Sequence, residues 1–256
     1  MLKKSLLVLG VPLLFVAGRA DGAQLKLLVG GAMSEPVKKV GADFSRKAGH
    51  ELAFTTDTTG ALQKRLRSGE KADVIVITAP GMDALEKENL IVPGTRVVLA
   101  RALIGVSVRA GAASPDLSTL ESFKKAILAS RSVSFVDPKA GGTSGTYMAG
   151  LFQRLGIGDE VQKKTVFRNQ GSEVADAVAK GEAEIGISFI SELLPNKGVK
   201  VAGTLPAAIQ NPTDYVAAIP VGAANADAAR AFLQELKSAA AQSAIKEAGL
   251  EPIQRR

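Results

Sequence analysis

Short apolar runs alternate along this chain with stretches in which apolar residues recur every three or four positions, and this alternation restricts the fold more than any other feature. A short apolar run bounded by turn residues reads as a strand, and the three-to-four spacing reads as an amphipathic helix. The pattern predicts strands over 25–29, 51–55, 74–78, 103–109, 133–136, 185–188, 199–202 and 215–220. It predicts helices over 36–48, 60–68, 82–88, 120–129, 145–155, 173–180, 226–237 and 239–248. Strands that alternate with helices imply an α/β protein with largely parallel sheets.

The first 23 residues, MLKKSLLVLGVPLLFVAGRADGA, stand apart from this alternation. Lys3 and Lys4 precede an apolar run over 6–17, and small residues follow, which is the layout of a secretory signal peptide cleaved after Ala20 or Ala23. The run is too short to span a bilayer comfortably, and no later stretch approaches the length required. Export without cysteine means no disulfide framework, so a large core must carry the stability. The residues after 23 suffice for one large domain or for two lobes. Of the basic residues behind the formal charge of +7, Lys3, Lys4 and Arg19 belong to the leader. The others are interspersed with Asp and Glu, without a basic block beyond Arg255-Arg256 and with few aromatics, which argues against a nucleic-acid partner.

Four corners between predicted strands and helices carry helix-start signals. Ser34 precedes Glu35-Pro36, Thr58 and Thr59 precede Gly60, Thr143 and Ser144 follow the loop over 137–142, and Gly171-Ser172 precedes Glu173. Each sets a hydroxyl or a small residue beside free backbone N–H groups at the positive end of a helix, a ready site for an anion. Ordinary capping uses the same residues. Four such corners in one α/β chain favour a ligand, because ligands of open parallel sheets lie beyond the carboxyl ends of the strands. Catalytic signatures are missing: the single histidine, His50, opens an apolar strand, no Cys/His cluster points to a metal, and the serines lack G-x-S-x-G. No cofactor is expected.

The segments LKLLVGGAMSEPVKKVGADFSRKAGHEL, TTGALQKRLRSGEKADVIV, SFVDPKAGGTSGTYMAGLFQRLG and VAKGEAEIGISFISELL resemble the periplasmic solute-binding proteins of bacterial ABC importers, specifically the molybdate-binding family. The likeness covers nearly the whole chain after the leader. It implies a two-lobed periplasmic binding protein fold with two crossover strands, one lobe at 24–99 plus 214–256 and the other at 100–213. It further implies a monomer that clamps a small anion between the lobes, with an ABC permease as partner. Carried over by position, the first ligand-binding serine falls on Met33 or, after a one-residue slip, on Ser34, and the second on Thr58 or Thr59. Backbone donors fall at Ser144, beside Gly145, and near Glu173. The family's tyrosine donor falls on Phe189, which cannot donate, and Met33 and Phe189 together favour an organic carboxylate over molybdate or tungstate. The primary expectation is a binding protein. Some secreted relatives resembling this family are aconitate isomerases, which move a proton between two carbons of an unsaturated tricarboxylate. On that alternative, Glu35 and Glu173 are the catalytic acid–base candidates, with Tyr147 one turn into the helix that starts near Ser144. The plain reading of these three is two helix-start charges and a packing residue, and an anion sensor is a third role open to the chain.

Overall fold

The computed structural model describes residues 24–253; the leader expected at 1–23 lies outside them. The chain enters with β1 (Gln24–Gly30), α1 (Ser34–Ala48), β2 (Glu51–Asp57), α2 (Thr59–Arg67), β3 (Val74–Thr78), α3 (Ala79–Lys87) and β4 (Val97–Ala102). It continues through β5 (Ile104–Arg109), α4 (Leu120–Ala129), β6 (Val133–Val136), α5 (Thr143–Arg154), α6 (Gly158–Gln162) and β7 (Thr165–Arg168). α7 (Gly171–Ala179), β8 (Ile185–Phe189), α8 (Ile190–Leu193) and β9 (Val199–Thr204) follow. The last elements are β10 (Thr213–Ala218), α9 (Ala226–Glu235), α10 (Ala239–Glu247) and β11 (Glu251–Pro252). Two sheets result, a six-stranded one in the order β11-β4-β10-β3-β1-β2 and a five-stranded one in the order β7-β6-β8-β5-β9. They form the two lobes of the expected fold.

The sheets are mixed, not largely parallel. β2, β1 and β3 run parallel, as do β7, β6 and β8, but β4, β5, β9, β10 and β11 all make antiparallel pairs. The strands that carry the chain from one sheet to the other cannot keep the direction of the strands that helices connect. β3 shows why the parallel core was legible: all five residues of VIVIT are buried, as a strand covered on both faces requires. α1 buries Val37, Val40, Gly41 and Phe44 at helical spacing, and Phe44 meets Phe232 of α9 edge-on at 5.2 Å. Gly41 lies so close to β2 that a Cβ there would stand 2.8 Å from the Phe54 ring. His50 stacks on the same Phe44 ring at 5.6 Å.

Asp73, in the segment SGEKADVIV, is buried and accepts backbone hydrogen bonds from Lys26 and Asn225, each at 2.8 Å. One carboxylate thus ties the start of β1, the entry to β3 and the cap of α9. At the crossovers only Leu103 separates β4 from β5. The Gln210 side chain grips both polar groups of the Ile104 backbone, accepting from its N–H at 3.1 Å and donating to its carbonyl at 2.9 Å. Among the described residues no helix is long and apolar enough to cross a membrane.

Candidate functional site

The four helix starts anticipated as anion corners meet in two pairs, one across the cleft at α2 and α5, the other at α1 and α7. In the first pair, Thr58 caps α2 by accepting from the Ala61 N–H at 3.2 Å, while its hydroxyl donates to the Ala140 carbonyl of the opposite lobe at 2.5 Å. The Gly60 N–H donates to the Gly141 carbonyl at 3.1 Å. The two glycines touch backbone to backbone, for a Cβ on Gly60 would stand 2.9 Å from the Gly141 Cα. The α2 corner therefore latches one lobe to the other. Thr59 is buried beneath it and accepts from the Thr78 N–H at 3.4 Å. Ser144 is buried in the first turn of α5, and Gly145 lies against the Val136 carbonyl, where a Cβ would overlap the oxygen.

In the second pair, Gly31 before α1 and Gly171 at the start of α7 both face the carboxyl of Glu192 in α8, and a methyl group on either glycine would collide with it. The Ser188 hydroxyl donates to Glu192 Oε2 at 2.7 Å. Desolvation pushes the Glu192 carboxyl up to about 7, against the opposing pull of hydrogen bonds from the Ser188 hydroxyl and the Phe189 backbone. The Tyr215 phenol, raised well above its ordinary value by burial and by the Glu192 charge, stays a neutral donor. Glu192 opens onto a cavity of 430 Å³ between the lobes. Gly31, Ser34, Glu35, Lys38 and Thr56 line one side, and Gln170, Ser172, Asp176, Ser191 and Asn196 line the other. Ser34 and Thr56 share a hydrogen bond of 3.0 Å between hydroxyls. Ser191 is 4% exposed, and its Oγ has no hydrogen-bond partner among the described residues. A buried hydroxyl without a partner carries a desolvation cost that a ligand oxygen would remove.

The other sequence candidates have different surroundings. Ser34 and Glu35 reach the cavity, where Glu35 pairs with Lys38 at 3.6 Å in the open part of the wall. Met33 is fully buried in the core, since the turn over Gly31–Met33 rotates it inward. Phe189 is buried and packs edge-on against Tyr215, with ring centroids 5.9 Å apart. Glu173 turns its carboxylate back to its own helix start, accepting from the Asn169 N–H at 2.9 Å. Tyr147 donates to the Ile209 carbonyl at 2.7 Å beside the second crossover, with the Arg154 guanidinium 5.5 Å over its ring. Sequence reasoning missed Glu192. Its signal was present, a carboxylate three residues past the end of the IGISF strand on the first turn of the next helix, where the carboxyl end of a parallel strand meets a ligand.

A larger hollow of 740 Å³ lies at the other end of the second sheet, where β5 ends and β8 begins. Its two arginines already have partners, Arg109 on the Ala179 carbonyl at 3.1 Å and Arg131 on Glu184 at 3.4 Å. The interlobe cavity is the better candidate because it combines helix starts, an unsatisfied hydroxyl and a perturbed carboxyl.

The sequence profile of the family described as "Bacterial extracellular solute-binding protein" matches residues 25–251. An aconitate isomerase of Pseudomonas sp. is 30% identical over 235 residues, covering 90% of this chain and 88% of the relative. The molybdate-binding protein ModA of Escherichia coli (strain K12) is 23% identical over 238 residues, covering 91% of this chain and 92% of the relative. Among solved structures, the periplasmic molybdate-binding protein of Azotobacter vinelandii superimposes with a TM-score of 0.73 at 18% identity, covering 91% of this chain and all of its own. With its two sheets, its paired crossovers and a cavity between the lobes, this chain belongs to the bacterial extracellular solute-binding protein family.

Proposed function

We propose that this protein captures a small organic carboxylate between its lobes in the periplasm, as the soluble component that supplies an ABC permease. The observation that carries this reading is the Glu192 carboxyl at the junction of two helix starts. A tetrahedral oxometalate is compact and offers only oxygen to its surroundings, so in this cavity it would meet Glu192 with negative charge. An organic acid separates its carboxylates by carbon. It can lay one carboxylate against Ser34, Thr56 and Ser191 and turn a methylene toward Glu192, or accept a hydrogen bond from Glu192 in its protonated form. Hinge closure about the crossovers would then enclose the acid.

A thermal-shift series with molybdate, tungstate, sulfate, citrate, cis-aconitate and trans-aconitate tests this. The expected result is stabilisation by an acid, about 3 kcal/mol at a hundredfold excess over Kd, and none by the oxometalates. Stabilisation by molybdate alone would return the site to oxyanion capture and overturn the reading.

A second reading, an isomerase of the aconitate type on the same frame, is favoured by the same carboxyl. A group whose pKa lies near working pH can take a proton from carbon and give it back. The 30% identity to the Pseudomonas aconitate isomerase supports it.

A further inference from the structure

We propose that Glu192 is the catalytic acid–base residue of an allylic proton shift on the bound acid, with Ser191 holding a substrate carboxylate beside the reacting carbon. This rests on the organic-carboxylate reading above and extends it to a reaction. The carboxyl is built in from one side and accessible from the other. Oε2 is fixed by the Ser188 hydroxyl at 2.7 Å, whereas Oε1 faces Gly31 across the cleft. The missing side chains at Gly31 and Gly171 are what leave room for the carboxyl, since a Cβ at either position would occupy its place. Ser191, one residue earlier, is buried in the wall of the same cavity, and its hydroxyl has no protein partner among the described residues. That second observation points to a ligand oxygen independently of Glu192.

The charged groups that share the cavity are Lys38, Glu35 and Asp176. Lys38, the cation of the three, pairs with Glu35 at 3.6 Å, and Asp176 accepts from the Asn196 amide at 2.7 Å. In the reaction, the Glu192 carboxylate takes a proton from the methylene of an unsaturated acid. That C–H bond breaks, its electron pair becomes the new double bond, and the former double bond delocalises toward the neighbouring carboxylate. The protonated Glu192 then delivers the proton to the other end of the allyl unit, where a C–H bond forms. One proton leaves and one returns, and no oxidant, reductant or metal is needed.

The test uses the purified chain, with trans-aconitate in D₂O followed by proton NMR, alongside thermal shifts with the same acid. In the wild type, deuterium should enter the methylene as cis-aconitate appears. Glu192→Gln should still be stabilised by trans-aconitate but exchange about 100-fold more slowly or less. Glu192→Asp, which keeps an acid, should retain partial exchange and shift the acidic limb of the rate–pH profile, which a merely structural role would not move. Exchange at the wild-type rate in Glu192→Gln overturns the assignment. Stabilisation of the wild type without any exchange overturns the reaction and leaves the organic-carboxylate reading standing. No stabilisation by any acid removes that reading, and the proposal with it.

Discussion

Glu192 makes the stability of this protein depend on protons in a direction opposite to most carboxylates. Its pKa is raised from 4.5 to about 7 in the native chain. Between those values the folded chain holds a proton that the unfolded chain has released, so stability falls as pH rises through this window. Below the window both states are protonated and the dependence vanishes; above it the full penalty of an ionised, desolvated carboxyl remains, at most about 3 kcal/mol. Glu192→Gln removes the titration, so it should be more stable than the wild type at pH 8 and equal to it at pH 4, as chemical denaturation at the two pH values would show. An unchanged pH slope in the variant would mean that Glu192 ionises freely. The residue scale is also where sequence reasoning was least complete. Ser34 and Glu35, read from the sequence as a helix-start corner, lie in the first turn of α1 and line the cavity. Glu192 follows a strand whose expected donor, Phe189, drew attention to itself, and nothing local distinguishes a capping glutamate from one enclosed by the opposite lobe.

At the scale of elements, α5 shows how a glycine can be structural where helix propensity says otherwise. On an open helix, Gly→Ala stabilises by about 1 kcal/mol. Gly145 sits against the Val136 carbonyl at the end of β6, and the added methyl has no room. Gly145→Ala should therefore destabilise, by about 1–3 kcal/mol as overpacked sites do, and a urea midpoint would show the sign directly. The strands over 74–78 and 133–136 and the helix over 120–129 were read from their apolar patterns to the residue. β4 was not, because VVLARALIGVSVR is one apolar run, and the sheet change at Leu103 is decided by the rest of the molecule. β7 escaped for the opposite reason: TVFR is a four-residue edge strand, only partly buried, with no apolar run to announce it. α8 is a single turn pressed against a strand, too short for a helical period to register.

For the whole molecule, the lobes meet on the α2–α5 side of the cleft through backbone atoms at Gly60 and Gly141 and through the Thr58 hydroxyl. Gly60→Val should wedge the lobes apart, giving a larger radius of gyration by small-angle X-ray scattering and weakening acid binding about tenfold, with α2 still capped by Thr58. Indistinguishable scattering from wild type and variant would show that closure does not need this contact. The opposite end of the molecule sets how such a wedge acts. The Gln210 amide holds both polar groups of the Ile104 backbone, and the Leu205 N–H donates to the same carbonyl at 3.1 Å, so the two crossovers are pinned together at Ile104. The lobes then behave as a lever with one fulcrum: a displacement of one methyl group at the latch becomes a rotation of the entire jaw, and the aperture above Glu192 widens with it.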